Sequence, residues 1–188
     1  MKVGVLALQG NFAAHARALA RVGATPRLVR ASADLAEVDA LVLPGGESTA
    51  MLHGIERDGL EPALLSFLAS GRPVLGTCAG AILLAREVCG PAQRSLGALD
   101  LAIERNAYGT QLDSFVCTAE TDDPGSPFAG ISCVLIRAPR IARAGTGVTV
   151  HARVKGDAAL VSTGRVWAAT FHPELGDDPR VLRAWLSE

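Results

Sequence analysis

The sequence predicts an α/β fold: a three-layer sandwich in which helices flank a mixed, mainly parallel central sheet. Three observations predict it. Strand and helix signals alternate through the first half, which implies parallel strands joined by crossover helices. The second half carries short strand signals separated by tight turns, which implies antiparallel pairing. Gly-rich turns follow the apolar strands directly, as expected where a sheet edge opens into a ligand cleft.

Taken in order, Val3 to Leu8 is a short apolar strand, and Phe12 to Val22 places Ala and Leu at helical spacing before Gly23 stops it. Pro26 to Val29 is a second strand, and Ala40 to Leu43 a third, ended by Pro44-Gly45-Gly46. Leu60 to Ser70 reads as a helix closed by Gly71, Pro73 to Gly76 as a strand, and Ala79 to Val88 as a further helix. Strands are then expected at Leu99 to Arg105, Gln111 to Ala119, Cys133 to Arg137, Val148 to Val154, Ala158 to Ser162 and Arg165 to Phe171. Turns such as Asp123-Pro124-Gly125, Lys155-Gly156-Asp157 and Thr163-Gly164 separate them. Asp178 to Leu186 closes the chain as a helix. With no internal repeat, linker or low-complexity segment, residues 1–188 are expected to form one domain.

Composition narrows the function classes. The 188 residues are 49% hydrophobic and 20% charged, too apolar for a disordered chain. A chain this long can bury roughly 70% of its unfolded surface without disulfides or metal. The formal net charge of −1 gives no basic field for nucleic acid or anionic lipid. Gly, Pro or charge interrupts every apolar run before about 18 residues, so no transmembrane helix is expected. Met1 to Leu6 opens on a strand pattern without a cleavage site, so no signal peptide and a cytoplasmic, reducing location are expected. The four cysteines, Cys78, Cys89, Cys117 and Cys133, form no Cys-x-x-Cys pair, and the Cys and His residues lack zinc-ligand spacing. Three of them read as small buried hydrophobes.

The fourth, Cys78, sits in Gly76-Thr77-Cys78-Ala79-Gly80, between a strand and a helix. This is a Gly-x-nucleophile-x-Gly elbow with a thiol as nucleophile. A helix N-terminus favours the thiolate. Phe171-His172-Pro173-Glu174 supplies an imidazole and a carboxylate two residues apart, on one side if the chain is extended. His172 can then accept the Cys78 proton while Glu174 holds its tautomer. His15, His53 and His151 have no acid at matching spacing. Pro44-Gly45-Gly46-Glu47-Ser48-Thr49 follows a buried strand and offers N–H groups to an oxyanion, with Ser48 as a helix N-cap. It is not a phosphate loop, since no Gly-Lys-Ser/Thr follows. Loops after neighbouring parallel strands open on one edge, so the three motifs are expected to converge there.

These stretches are those of a known family. The chain resembles the class I (triad) glutamine amidotransferases, a flavodoxin-like fold, and among them the glutaminase subunits of pyridoxal 5′-phosphate synthase. The resemblance runs nearly end to end: Leu8-Gln9-Gly10 with His15, Leu43 to Thr49, the Cys78 elbow, Glu104-Arg105-Asn106, Gly109, Gln111, Asp113-Ser114-Phe115, Ile136-Arg137-Ala138-Pro139, and Phe171 to Leu175. It implies a triad of Cys78, His172 and Glu174 acting on L-glutamine. It implies that Gly46, Glu47, Ser48, Arg105, Ile136 and Arg137 bind glutamine and that the N–H groups of Gly46 and Ala79 hold the oxyanion. It implies no metal and no cofactor. It implies that ammonia is passed to a barrel-shaped synthase subunit, around a ring of which many glutaminases dock; docking near Gln9-Gly10 is expected to orient the Gly45–Glu47 loop. An Arg fork independently suits the α-carboxylate of glutamine. The rival readings are the glutaminase of histidine biosynthesis, a cysteine hydrolase on a similar sheet, and a non-catalytic scaffold subunit.

Overall fold

The computed structural model describes residues 1–105, 107 and 114–188. The expected positions Asn106, Gly109, Gln111 and Asp113 lie outside the described residues, as does the start of the strand expected from Gln111. The chain begins with β1 (Lys2–Leu6), α1 (Phe12–Arg21), β2 (Thr25–Val29), a 3-10 turn (Ser32–Glu37) and β3 (Ala40–Leu43). It continues through α2 (Ser48–Arg57), α3 (Glu61–Ala69), β4 (Val74–Thr77), α4 (Ala79–Leu84), β5 (Ala85–Cys89) and β6 (Leu99–Glu104). Then follow β7 (Phe115–Thr118), β8 (Ser132–Leu135), β9 (Arg140–Ala144), β10 (Thr149–Val154), β11 (Asp157–Thr163) and β12 (Val166–Ala169). A 3-10 turn (Pro173–Leu175) and α5 (Arg180–Ser187) complete it.

The main sheet has seven strands in the order β10-β11-β12-β4-β3-β1-β2. From β12 to β2 the pairing is parallel, whereas β10 and β11 continue the sheet antiparallel. The mixed, mainly parallel sheet is therefore as expected. Its inner strands are apolar on both faces because helices cover both. Alternation along β3 divides the core: Leu41 and Leu43 face Met51, Ile55, Phe67 and Leu83 on α2, α3 and α4. Ala40 and Val42 belong to the opposite layer, with Leu19 of α1 and Val181, Leu182 and Trp185 of α5. The antiparallel hairpin from β10 to β11 turns at Lys155 and Gly156, both at positive φ (52° and 82°), the geometry of a two-residue hairpin turn.

The second sheet departs most from expectation. The helix expected over Ala79 to Val88 stops at Leu84, because Ala85 leaves the helical region (φ −65°, ψ 151°). Residues Ala85 to Cys89 pair in parallel with β6, and β9 completes this three-stranded sheet. Here strand pairing overrides a helical pattern: Ala85 and Val88 are buried while Arg86 and Glu87 are exposed. Strand β9 is an addition to the expected elements, and helix α2 follows the helix start expected at Ser48. Among the described residues no helix is long and apolar enough to cross a membrane.

Helix α4 lies so close to the sheet that Gly80 has no room for a side chain. A Cβ there would land on the Leu43 carbonyl, and one on Gly76 would come 2.6 Å from the Gly80 carbonyl. Gly80→Ala should therefore destabilise the fold by about 3 kcal/mol, the upper range for overpacking. Gly147 faces open space, and Gly147→Ala should change stability by under about 0.5 kcal/mol. Urea unfolding of the two variants checks this; equal midpoints would contradict the packing.

Candidate active site

Strands β1, β3, β4 and β12 run parallel, so the segments that follow them emerge on one edge of the sheet. Those segments are Gln9 to Asn11, Gly45 to Glu47, Cys78, and His172 to Glu174. They converge as expected.

Cys78 follows β4 directly and is the N-cap of α4, with its backbone at φ 48°, ψ −103°. A non-glycine residue in such a conformation is strained, and the surroundings must hold it there. Its N–H donates to the Ala169 carbonyl at 2.8 Å, tying the elbow to the end of β12. The thiol reaches towards the Ile136 carbonyl at 4.0 Å. Arg137, the next residue along that wall, also has positive φ (45°). Both of these strained residues line the same cavity.

His172 donates its backbone N–H to the Val134 carbonyl at 2.9 Å, which fixes it against β8. Its Nδ1 lies 2.7 Å from Glu174 Oε1. With Nδ1 so engaged, Nε2 is the ring nitrogen left for the hydrogen bond with Cys78. The two side chains do not meet through strand alternation, as the spacing suggested. Strand β12 ends at Ala169, and Pro173–Leu175 is a 3-10 turn with Pro173 at its first position. The turn curls the Glu174 carboxylate back beneath the imidazole. Gly45 makes the meeting possible from the other side: a Cβ there would strike His172 Cε1 and come 3.4 Å from Cys78 Cβ.

The cavity in front of Cys78 has a volume of about 390 Å³. Gly46, Glu47, Ser48, Arg105, Ile136 and Arg137, all expected from the resemblance, line it together with Cys78 and His172. Glu174 stands behind His172. Asn11 and Ile82 complete the lining without having been expected, and Gln9 and Gly10, expected as a docking region, line it too. Glu47, not Ser48, is the N-cap of α2: its carboxylate accepts from Thr49 N at 3.1 Å and Ala50 N at 2.6 Å. Burial works against ionisation of Glu47, but these N–H bonds and Arg105 outweigh it and lower its pKa. Arg105 donates to Glu47 Oε1 and Thr49 Oγ1, each at 3.2 Å. The Gly45–Glu47 loop is gripped by the loop before α1: Asn11 N donates to the Gly45 carbonyl at 2.9 Å, and Glu47 N to Gln9 Oε1 at 2.8 Å. Among the described residues, the Gly46 and Ala79 N–H groups are not committed to a backbone carbonyl of a loop, turn or cap.

The family model of the SNO glutamine amidotransferase family matches residues 5–188. This chain belongs to that family. It is 48% identical over 186 residues to the pyridoxal 5′-phosphate synthase subunit PdxT of Koribacter versatilis, covering 99% of this chain and 94% of the relative. The corresponding subunit of Solibacter usitatus is 47% identical, covering 100% and 98%. A crystal structure of a glutamine amidotransferase superposes with a TM-score of 0.90 at 43% identity, covering 98% of this chain and 97% of that one. The fold expected from the sequence is the fold of these relatives.

Burial lowers the pKa of His172, but hydrogen bonds to Cys78 and Glu174, and the charges of both, raise it to about 10. Burial raises the pKa of Glu174, but the His172 hydrogen bond, the neighbouring His15 and His172 and a backbone hydrogen bond together outweigh it, so the carboxylate is held below its usual range. Burial pushes the Cys133 thiol up to about 12, and that residue is fully buried, as the small-hydrophobe reading requires. Cys89 and Cys117 are only half-buried. His151 stacks on Trp167, with ring centroids 4.5 Å apart. His15 has no acid near it in sequence, yet the fold brings its Nε2 to 3.4 Å from Glu174 Oε2. Burial lowers His15 from 6.5 to about 4, so at neutral pH this contact is dipolar and not an ion pair.

The two histidines pull the pH dependence of stability in opposite directions. Between pH 6.5 and about 4 the unfolded chain protonates His15 and the folded chain does not, so stability falls on acidification. Between pH 6.5 and about 10 the folded chain keeps the His172 proton that the unfolded chain loses, so stability falls on alkalinisation. Urea titrations across pH should show both limbs; His15→Gln should flatten the acid one and His172→Gln the alkaline one. Limbs unchanged in both variants would contradict these protonation states.

Proposed function

We propose that this chain is the glutaminase subunit of a pyridoxal 5′-phosphate synthase, hydrolysing L-glutamine to L-glutamate and ammonia for a separate synthase subunit. The observation that carries the chemistry is the 2.7 Å His172–Glu174 bond behind a strained, cavity-facing Cys78 hydrogen-bonded to the same imidazole. The names of the relatives reported above support the partner. The barrel shape and ring assembly of that partner rest on the resemblance alone.

In this reading His172 Nε2 holds the proton that Cys78 gives up, and the Cys78 thiolate attacks the side-chain amide carbon of glutamine. Glu174 keeps Nδ1 protonated and stabilises the imidazolium. The carbonyl oxygen gathers negative charge and is held by the N–H groups of Gly46 and Ala79. His172 returns the proton to the leaving nitrogen, ammonia departs, and a glutamyl thioester remains on Cys78. Water attacks the thioester, its proton passes to His172, and glutamate leaves as the thiol is restored. Arg105 and Arg137, on opposite motifs of the cavity wall, offer charge to the α-carboxylate, and Glu47 offers a counter-charge to the α-ammonium. The grip of Gln9 and Asn11 on the Gly45–Glu47 loop supports a route by which a partner docked near Gln9-Gly10 orients the oxyanion donors.

Cys78→Ala should lower glutamine hydrolysis on the order of 10³-fold or more, and His172→Asn nearly as much, since the two act as a unit. Glu174→Gln should cost less, because it touches no substrate atom. Cys89→Ser, Cys117→Ser and Cys133→Ala should leave kcat near wild type. Assays of glutamate release check these. Synthase complexed with the Cys78→Ala chain should still work from ammonium salts but not from glutamine. Undiminished glutamine-dependent synthesis by that complex would overturn the reading.

A further inference from the structure

Among the described residues, His15 is a fully buried histidine that the chemistry above leaves unused. It lies on α1 with 0% exposure, and α1 packs against the Pro173–Leu175 turn. Its Nε2 is 2.9 Å from Thr77 Oγ1, on the residue just before the nucleophile. The same nitrogen is 3.4 Å from Glu174 Oε2. Glu174 Oε1 is occupied by His172, whereas Oε2 is buried and has no hydrogen-bond partner among the described residues. His15 Nδ1 is likewise buried and unpartnered.

We propose that His15 is a positioning residue of the triad, whose imidazole, wedged between Thr77 and Glu174, holds the Glu174 carboxylate in the orientation that grips His172. The inference rests on the glutaminase reading. A buried carboxylate oxygen needs a donor facing it. A bare Nε2 lone pair at that distance would repel it, so the geometry selects the tautomer with hydrogen on Nε2. That hydrogen bonds to Thr77 Oγ1 and turns its positive end towards Glu174 Oε2 at 3.4 Å, and the lone pair falls on Nδ1, the atom that lacks a partner. The titratable groups facing His15 are Glu174 and His172, both from the turn after β12, and Thr77 faces it from β4. A neutral donor is the fitting choice there. An imidazolium at position 15 would take up the carboxylate charge that must stabilise protonated His172. The same wedge ties the strand residue before Cys78 to the carboxylate behind His172, so nucleophile and base are registered through one side chain.

The test compares His15→Gln, whose amide N–H can take the place of Nε2–H, with His15→Leu, which has no donor. In the complex with synthase, His15→Leu should lower kcat for glutamine on the order of 10–10²-fold, as for lost orienting partners. KM should change less than about twofold by comparison. The acid limb of its kcat profile should move to higher pH, because Glu174 loses a group that favours its ionised form. His15→Gln should recover most of kcat and return the limb. A His15→Leu enzyme with wild-type kcat and pH profile overturns the proposal, and so does a His15→Gln enzyme as slow as His15→Leu. Should His15→Leu fail to fold, the wild-type protein decides alone: long-range ¹⁵N–¹H NMR of labelled histidine should show His15 in the Nε2–H tautomer, and the Nδ1–H tautomer overturns the proposal. Failure of the glutaminase reading looks different, since wild type with synthase would then release no glutamate from glutamine.

Discussion

No side chain fits where Gly45 passes between His172 and Cys78, and the rest of the site depends on that closeness. The His172 imidazole can approach Cys78 only because the loop after β3 presents bare backbone at this point. The same device recurs around it. Gly10 lies with the position of its absent Cβ against the Gly45 carbonyl, Gly46 against the Gln9 amide, and Gly80 against the Leu43 carbonyl. Four strand ends are thereby drawn into one knot of backbone. The parallel pairing of β1, β3, β4 and β12 brings the segments to one edge, and the glycines let them touch.

Within that knot the strain is local and placed where chemistry needs it. Cys78 and Arg137 hold positive φ and line the same cavity, and the Cys78 N–H is held by the Ala169 carbonyl at the end of β12. The core around them carries the cost: helices α2, α3 and α4 close one face of the sheet, and α1 and α5 the other. A thiol poised on a strained elbow, an imidazole raised towards the protonated state and a buried carboxylate behind it form a unit whose parts have no other structural task. His15 extends this unit backwards into α1, joining the triad to the helix that follows the Gln9–Asn11 loop.

Much of this was legible in the sequence for plain physical reasons. The strand Ala40–Leu43 matches its expected bounds because four consecutive apolar residues are closed by Pro44-Gly45. Helix α1 was legible from its Ala and Leu spacing, and the central sheet from strand–helix alternation. Strand β9 gave no such signal: in Arg140–Ala144 its arginines pair with acids on neighbouring strands, so the alternation is masked. Strand β5 looked helical because Ala-Arg-Glu suits a helix, and only pairing with β6 decides otherwise. The triad motifs could be read because each lies at or shortly after a strand end, Cys78 next to Thr77 and His172 three residues past Ala169. The orientation of Glu174 could not, since it arises from a 3-10 turn at Pro173. The contact of His15 with Glu174 was invisible because it joins opposite ends of the chain through tertiary packing, with no local pattern to mark it.

The central claim is that Cys78 forms a covalent bond with the glutamyl group. The most direct measurement is acid quenching of the chain in complex with synthase during turnover of glutamine, followed by mass spectrometry of its peptides. The account predicts a glutamyl adduct on the peptide containing Cys78, labile to base or hydroxylamine as a thioester is, and absent from a His172→Asn chain treated in the same way. Steady release of glutamate with no adduct on Cys78, or with the adduct on Cys89, Cys117 or Cys133, would contradict it.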